Sequence, residues 1–277
     1  MTTPMATRAD AATITTMTTP TTTTTTMATS MADGRSLPGD ARSTDLERAA
    51  PDGAALVRLM TWLSPAFPVG AFTYSHGLEW AIEDGTVRTA DDLRVWIADI
   101  LRHGAGRTDA VLLCEAWRAA RAGDAARLKA VGDLAFALQP SKERRLEAGA
   151  QGKAFVTAVD ATWGAPTLAE LAASIAPTPV AYAVAVGVAG ADHDVPLGAL
   201  AEAHLTAFVA NLVSAAVRAV PLGQTDGQRL IQALAPVVAE TAAEALAADP
   251  DDLGGAALRA DIASMKHETQ YTRLFRS

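Results

Sequence analysis

The sequence predicts an all-α protein, a single helical bundle over residues 53–277 behind a disordered leader, 1–52. Three observations carry this. Apolar residues recur at i, i+3, i+4 and i+7 through most of the chain after residue 53. No run alternates with period two over the length of a strand. Thr fills 15 of the first 30 positions, and residues 33–52 are rich in Gly, Pro, Ser, Arg and Asp. Such a leader buries too little apolar surface to offset the entropy of ordering it. It has no continuous apolar stretch for a signal peptide and few bases for a transit peptide, so it is read as a tail or a misplaced start, with Met27 and Met31 as alternative first residues.

Taken in order, helices are expected over 54–63, over 93–101 behind an N-capping Thr89, and over 107–122, 124–138, 141–163 and 179–190. Leu205, Phe208, Val209, Leu212, Val213 and Val217 then mark a helix apolar around most of its circumference, which belongs in the middle of the bundle. Pro221 and Gly223 end it, and Thr225-x-x-Gln228 reads as the capping box of the next. Residues 171–191, "LAASIAPTPVAYAVAVGVAGA", carry no charge, yet they are Ala- and Gly-rich and hold Pro177 and Pro179. They read as a buried helix starting near Pro179, not a membrane span.

Composition excludes several function classes. With 31 acids against 23 bases, the net charge is −8, and no basic stripe suggests nucleic acid. The single cysteine, Cys114, rules out an internal disulfide and any CxxC zinc site. Within Val111–Trp117 it reads as a buried structural thiol. These features fit the cytoplasm.

The richest stretch is residues 64–80, "SPAFPVGAFTYSHGLEW". Pro65 and Pro68 push Ser64 and Phe67 into extended conformations, and Gly70 offers a positive-φ turn. From Thr73 the pattern reads as helical, with Tyr74, Leu78, Ala81 and Ile82 on one face. Ser75 and Glu79 share another face at i, i+4, so that Glu79 accepts from Ser75. Thr73-Tyr-Ser75-His-Gly77 falls one glycine short of a nucleophile elbow and lacks the preceding strand. His76, adjacent to Ser75, points elsewhere on a helix. Gly149-Ala-Gln-Gly152-Lys153-Ala154 lacks the length and the Ser/Thr of a P-loop, and Gly104-Ala-Gly106 follows a helix. The five histidines show no i, i+4 pair. Asp192-His193-Asp194 could touch a divalent ion but reads more simply as a solvated loop. At the other end, "HETQYTRLFRS" interleaves Tyr271, Leu274 and Phe275 with Arg273 and Arg276, the composition of an interface anchor. Either it docks on a partner, or it packs one aromatic on its own bundle.

Together, "SPAFPVGAFTYSHGLEW", "ERRLEAGAQGKAF", "AAVRAVPLGQTDGQ" and "HETQYTRLFRS" resemble the signature segments of the urease accessory protein UreF family over residues 56–277. The resemblance implies an all-α homodimer without catalysis of its own and without a tightly bound cofactor. It would join UreD (also called UreH) and the GTPase UreG in a complex that delivers nickel to apo-urease. The residues singled out as partner-binding or structural are Pro68, Gly70, Tyr74, Ser75, Gly77, Glu79, Gly223, Gln224, Tyr271, Arg273, Leu274, Phe275 and Arg276. Against this stand an adaptor for another GTPase or metalloenzyme, and a serine hydrolase using Ser75.

Overall fold

The computed structural model describes residues 45–277, apart from Pro221 and the side chain of Asp252. In chain order its helices are α1 (Gly53–Trp62), α2 (Leu78–Glu83), α3 (Ala90–His103), α4 (Ala105–Ala122), α5 (Ala125–Ala137), α6 (Lys142–Thr162), α7 (Pro166–Ser174), α8 (Tyr182–Asp192), α9 (Leu197–Ala219), α10 (Gln224–Ala247) and α11 (Leu258–His267). Short 3₁₀ turns lie at Ala71–Thr73 and Pro250–Asp252. No strand occurs among the described residues, so the all-α expectation holds.

Small residues decide the centre. Every residue of α8 from Ala183 to Ala191 is buried, between α4 on one side and α6 on the other. On α6, a Cβ at Gly152 would lie 1.8 Å from the Val180 carbonyl oxygen, so only glycine permits this approach. Bulk surrounds that layer. Trp62 is fully buried, edge-on to Phe155 at 6.1 Å, and the Trp117 indole donates to Val195 O at 3.1 Å, pinning the turn between α8 and α9. Cys114 is buried in α4, and burial pushes its thiol up to about 12, consistent with an inert structural role. Helices α9 and α10 are long and apolar enough by length and composition to cross a membrane, and they pack along each other here.

Caps confirm some expectations and correct others. Thr89 caps α3 with a reciprocal box, its hydroxyl accepting from Asp92 N at 3.2 Å while Asp92 accepts from Thr89 N at 3.0 Å. α10 starts earlier than the Thr225 box implied. It opens at Gln224, with the Asp226 carboxylate accepting from Gly223 N at 3.3 Å. Sequence periodicity missed α7 and α11. The first N–H groups of α7 are satisfied from far along the chain, by Asp192 accepting from Thr167 N at 3.0 Å and Leu168 N at 3.3 Å. Asp194 pairs with Arg121 and His193 bonds to Gly164 O, so the Asp192–Asp194 triplet staples the fold and is not a free loop.

The leader boundary also moves. Glu47 pairs with Arg118 at 2.9 Å, and Asp52 caps α1 by accepting from Ala55 N at 2.7 Å. Residues 45–52 therefore belong to the bundle. The rest of the expected disordered leader lies outside the described residues.

Candidate functional site

Residues 64–69 run through hydrogen-bonded turns and are not the extended connector expected, and residues 73–77 do not form the helix expected from Thr73. Gly70 takes the left-handed turn that sequence reasoning assigned it, with φ 72°, and the 3₁₀ turn follows. Tyr74 is extended and buried. His76 (φ 57°) and Gly77 (φ 74°) are both left-handed, and α2 begins only at Leu78. At Gly77 a Cβ would also sit 2.4 Å from Ser264 N of α11, so φ and space both demand glycine. This double left-handed turn reverses the expected geometry of Ser75 and Glu79. The Ser75 hydroxyl accepts from the Glu79 backbone N–H at 3.3 Å and donates to the Ser277 carbonyl. It does not reach the Glu79 carboxylate.

That carboxylate serves the end of the chain instead. Its oxygens accept from Leu274 N at 2.7 Å and Phe275 N at 3.0 Å, and one lies 3.1 Å from His267 Nε2. Ser75 N donates to Ser277 O at 2.6 Å and Arg276 N to Thr73 O at 2.8 Å. Residues 273–277 thus lie along the junction like a short added strand. Phe275 is buried, and its ring lies 4.5 Å from the Arg218 guanidinium. Arg218 also donates to Phe72 O at 2.7 Å, so the end of α9, which leads toward Gly223 and Gln224, meets both segments. Tyr271 is fully exposed and Leu274 is 71 % exposed. Of the tail's three anchors, one is folded inward and two face solvent.

α6 supplies the floor. Glu143, Glu147 and Gln151 recur at i, i+4 and i+8 and turn one polar stripe into the bundle. Glu147 accepts from Gln151 Nε2 at 2.8 Å, from the Ser277 hydroxyl at 2.8 Å and from Arg144. Glu143 accepts from Arg273 at 2.6 Å and lies 2.6 Å from His267 Nδ1, so the His267 ring bridges Glu143 and Glu79, donating according to tautomer. Nε2 of His76 lies 2.7 Å from the Arg144 guanidinium and 2.8 Å from Glu147. It accepts from the first or donates to the second, according to tautomer. Nδ1 of His76 has no partner among the described residues.

Sequence reasoning found the junction and the tail but missed Glu143, Arg144, Glu147, His76 and His267. The signal was present in "ERRLEAGAQGKAF", where a polar stripe at helical spacing sits on a helix that must pack. The phosphate-loop reading of Gly149–Ala154 and the family resemblance both leave that stripe unassigned.

The electrostatics follow from burial. Desolvation would raise Glu147, but the charges of Arg144 and His76 and the hydrogen bonds it accepts outweigh that and hold it down to about 2. Burial, then the Arg144 charge, keeps His76 below the usual histidine value. Asp109, 3.9 Å from Arg144, is raised to about 6 by burial. Beneath the junction lies a cavity of about 150 Å³ lined by His76, Asp109, Arg144, Glu147, Tyr182 and His204. His204 is lowered to about 4 by burial. Among the described residues, no three His, Cys, Asp or Glu side chains converge as a metal site. Ser75 is fully buried, its hydroxyl is engaged by Ser277, and a 3₁₀ turn precedes it where an elbow needs a strand. The geometry of a serine nucleophile is missing.

Residues 87–235 match the family model described as UreF. The chain belongs to the UreF family. A protein named urease accessory protein UreF from Rhodopseudomonas palustris strain BisA53 is 58% identical over 224 residues, covering 81% of this chain and 94% of that protein. Its namesake in strain HaA2 is 57% identical, covering 83% and 96%. The one from Bradyrhizobium sp. strain BTAi1 is 51% identical, covering 82% and 93%. Within this UreF-family chain, the clamp joins three of the segments on which the resemblance rested, and Arg218 brings in the fourth.

Proposed function

We propose that this chain is a non-catalytic scaffold of urease maturation. It joins UreD/UreH and the GTPase UreG so that nickel, handled by the complex and not by a cofactor site of this chain, reaches apo-urease. It acts as a homodimer in the cytoplasm. The observation that carries this reading is the clamp: buried carboxylates of α2 and α6 hold residues 273–277 against the junction and leave Tyr271 and Leu274 projecting. Exposed apolar side chains on a fixed backbone are what a docking anchor needs. The family relation favours urease maturation over another GTPase or metalloenzyme.

The test is co-purification with UreD and UreG. Tyr271→Ala with Leu274→Ala should lose UreD while the melting temperature stays that of the parent protein, because neither side chain is buried. Unchanged UreD capture and unchanged urease activation by that variant would sink the reading.

A further inference from the structure

α6 has a second face, opposite the clamp. Between it and residues 172–180 runs a groove of about 810 Å³, within the range of about 300–1,000 Å³ usual for binding sites. Lys142, Arg145 and Lys153 line it, all exposed, and no carboxylate does. None of the three forms an ion pair among the described residues. At one end Glu268 accepts from the Lys142 backbone N–H at 2.8 Å. In a chain of net charge −8, three uncompensated cations gathered on an uncharged wall are a segregated field. Between them Leu146 stands 68 % exposed, facing a side built of Pro177, Thr178 and Pro179. Arg145 is held in place by stacking 5.6 Å over Phe136 and by donating to Phe136 O at 3.1 Å, which leaves its remaining donors to point outward.

We propose that this groove docks an acidic, amphipathic segment of a partner protein, its carboxylates on Lys142, Arg145 and Lys153 and an apolar side chain over Leu146. The spacing selects a chain segment over a small anion. Lys142 and Lys153 are eleven residues apart on one helix, about 16 Å at 1.5 Å per residue, too far to converge on one phosphate. The exposed leucine between them demands an apolar complement, which a nucleic acid backbone lacks.

The experiment uses the full chain and a fluorescent peptide of Glu-Glu-Leu-Leu repeats, with Gln-Gln-Leu-Leu and Glu-Glu-Ser-Ser controls. The acidic amphipathic peptide should bind at least about tenfold more tightly than either control, and more weakly as salt shortens the screening length. Lys142→Glu with Lys153→Glu should weaken it about tenfold or more at unchanged melting temperature, and Leu146→Ser should weaken it independently. Equal binding of either control, or unchanged binding to the charge-reversed protein, overturns the proposal. So does a change of oligomeric state by light scattering in these variants with peptide binding intact, because the groove would then be a contact between copies.

Discussion

The α4–α8 contact and the clamp around Glu79 and Glu147 are both buried, yet different forces hold them. On the α8 side the first is alanine, valine and glycine packed to close approach, with no charged residue from Ala183 to Ala191. The second is a set of carboxylates, each surrounded by two or more donors drawn from segments as much as 196 residues apart. Apolar packing degrades gradually as atoms are removed. A buried ionic network fails sharply when one member leaves, because the others remain desolvated and unpaired. The clamp should therefore fail when one partner is removed, in a way that depends on pH, whereas the centre loses stability in proportion to the atoms removed and independently of pH.

The largest effect is expected of Arg144→Met, which strands Glu147 in the interior. We expect a loss of about 3–5 kcal/mol, or about 10 °C or more in melting temperature for a domain of this size, read by circular dichroism. Adding Glu147→Gln to Arg144→Met should restore part of that stability, whereas additive losses would show that the two side chains do not form a pair. On the apolar side, Leu113→Ala should cost about 2–5 kcal/mol and equally so at every pH. A pH-dependent loss would mean that the centre is not the neutral region described.

This division also explains what the sequence could reveal. The centre was legible because its signal is local: residues 171–191 carry no charge, and their small residues after Pro179 mark one buried helix. The clamp was not, because its two halves lie at opposite ends of the chain and its hinge is a backbone state. A left-handed His76 has no side-chain signature, so residues 73–77 read as one more turn of helix, and Ser75 was paired with the wrong group of Glu79. α7 escaped although Pro166 at its first position is a local start signal, because the helix is only nine residues long and buries only Leu168 and Leu171.

Acid sharpens the contrast at slightly lower magnitude. His204 is lowered from 6.5 to about 4, so the stability linked to its neutral form is full above pH 6.5 and is lost as pH falls through 4. Glu147, lowered from 4.5 to about 2, adds stability above pH 4.5 that is lost as pH falls through 2. Asp109, raised to about 6, acts in the opposite sense, its contribution fading as pH rises through 6. His204→Gln removes the first of these alone. Urea midpoints should show the variant gaining about 3 kcal/mol on the parent protein between pH 7 and pH 4. Parallel curves would contradict the buried, neutral placement of His204. The smallest effect belongs to Ser75→Ala, which leaves Ser277 O its backbone donor and should cost about 0.5–1.5 kcal/mol.

Glu79 holds residues 274 and 275 in place. Amide hydrogen exchange at Leu274 and Phe275 tests it most directly, in the parent protein and in Glu79→Gln. Both amides should be protected in the parent, and in the variant they should exchange at least about tenfold faster, while amides of α4 and α8 keep their protection. Unprotected amides in the parent, or protection indifferent to Glu79→Gln, would contradict the clamp.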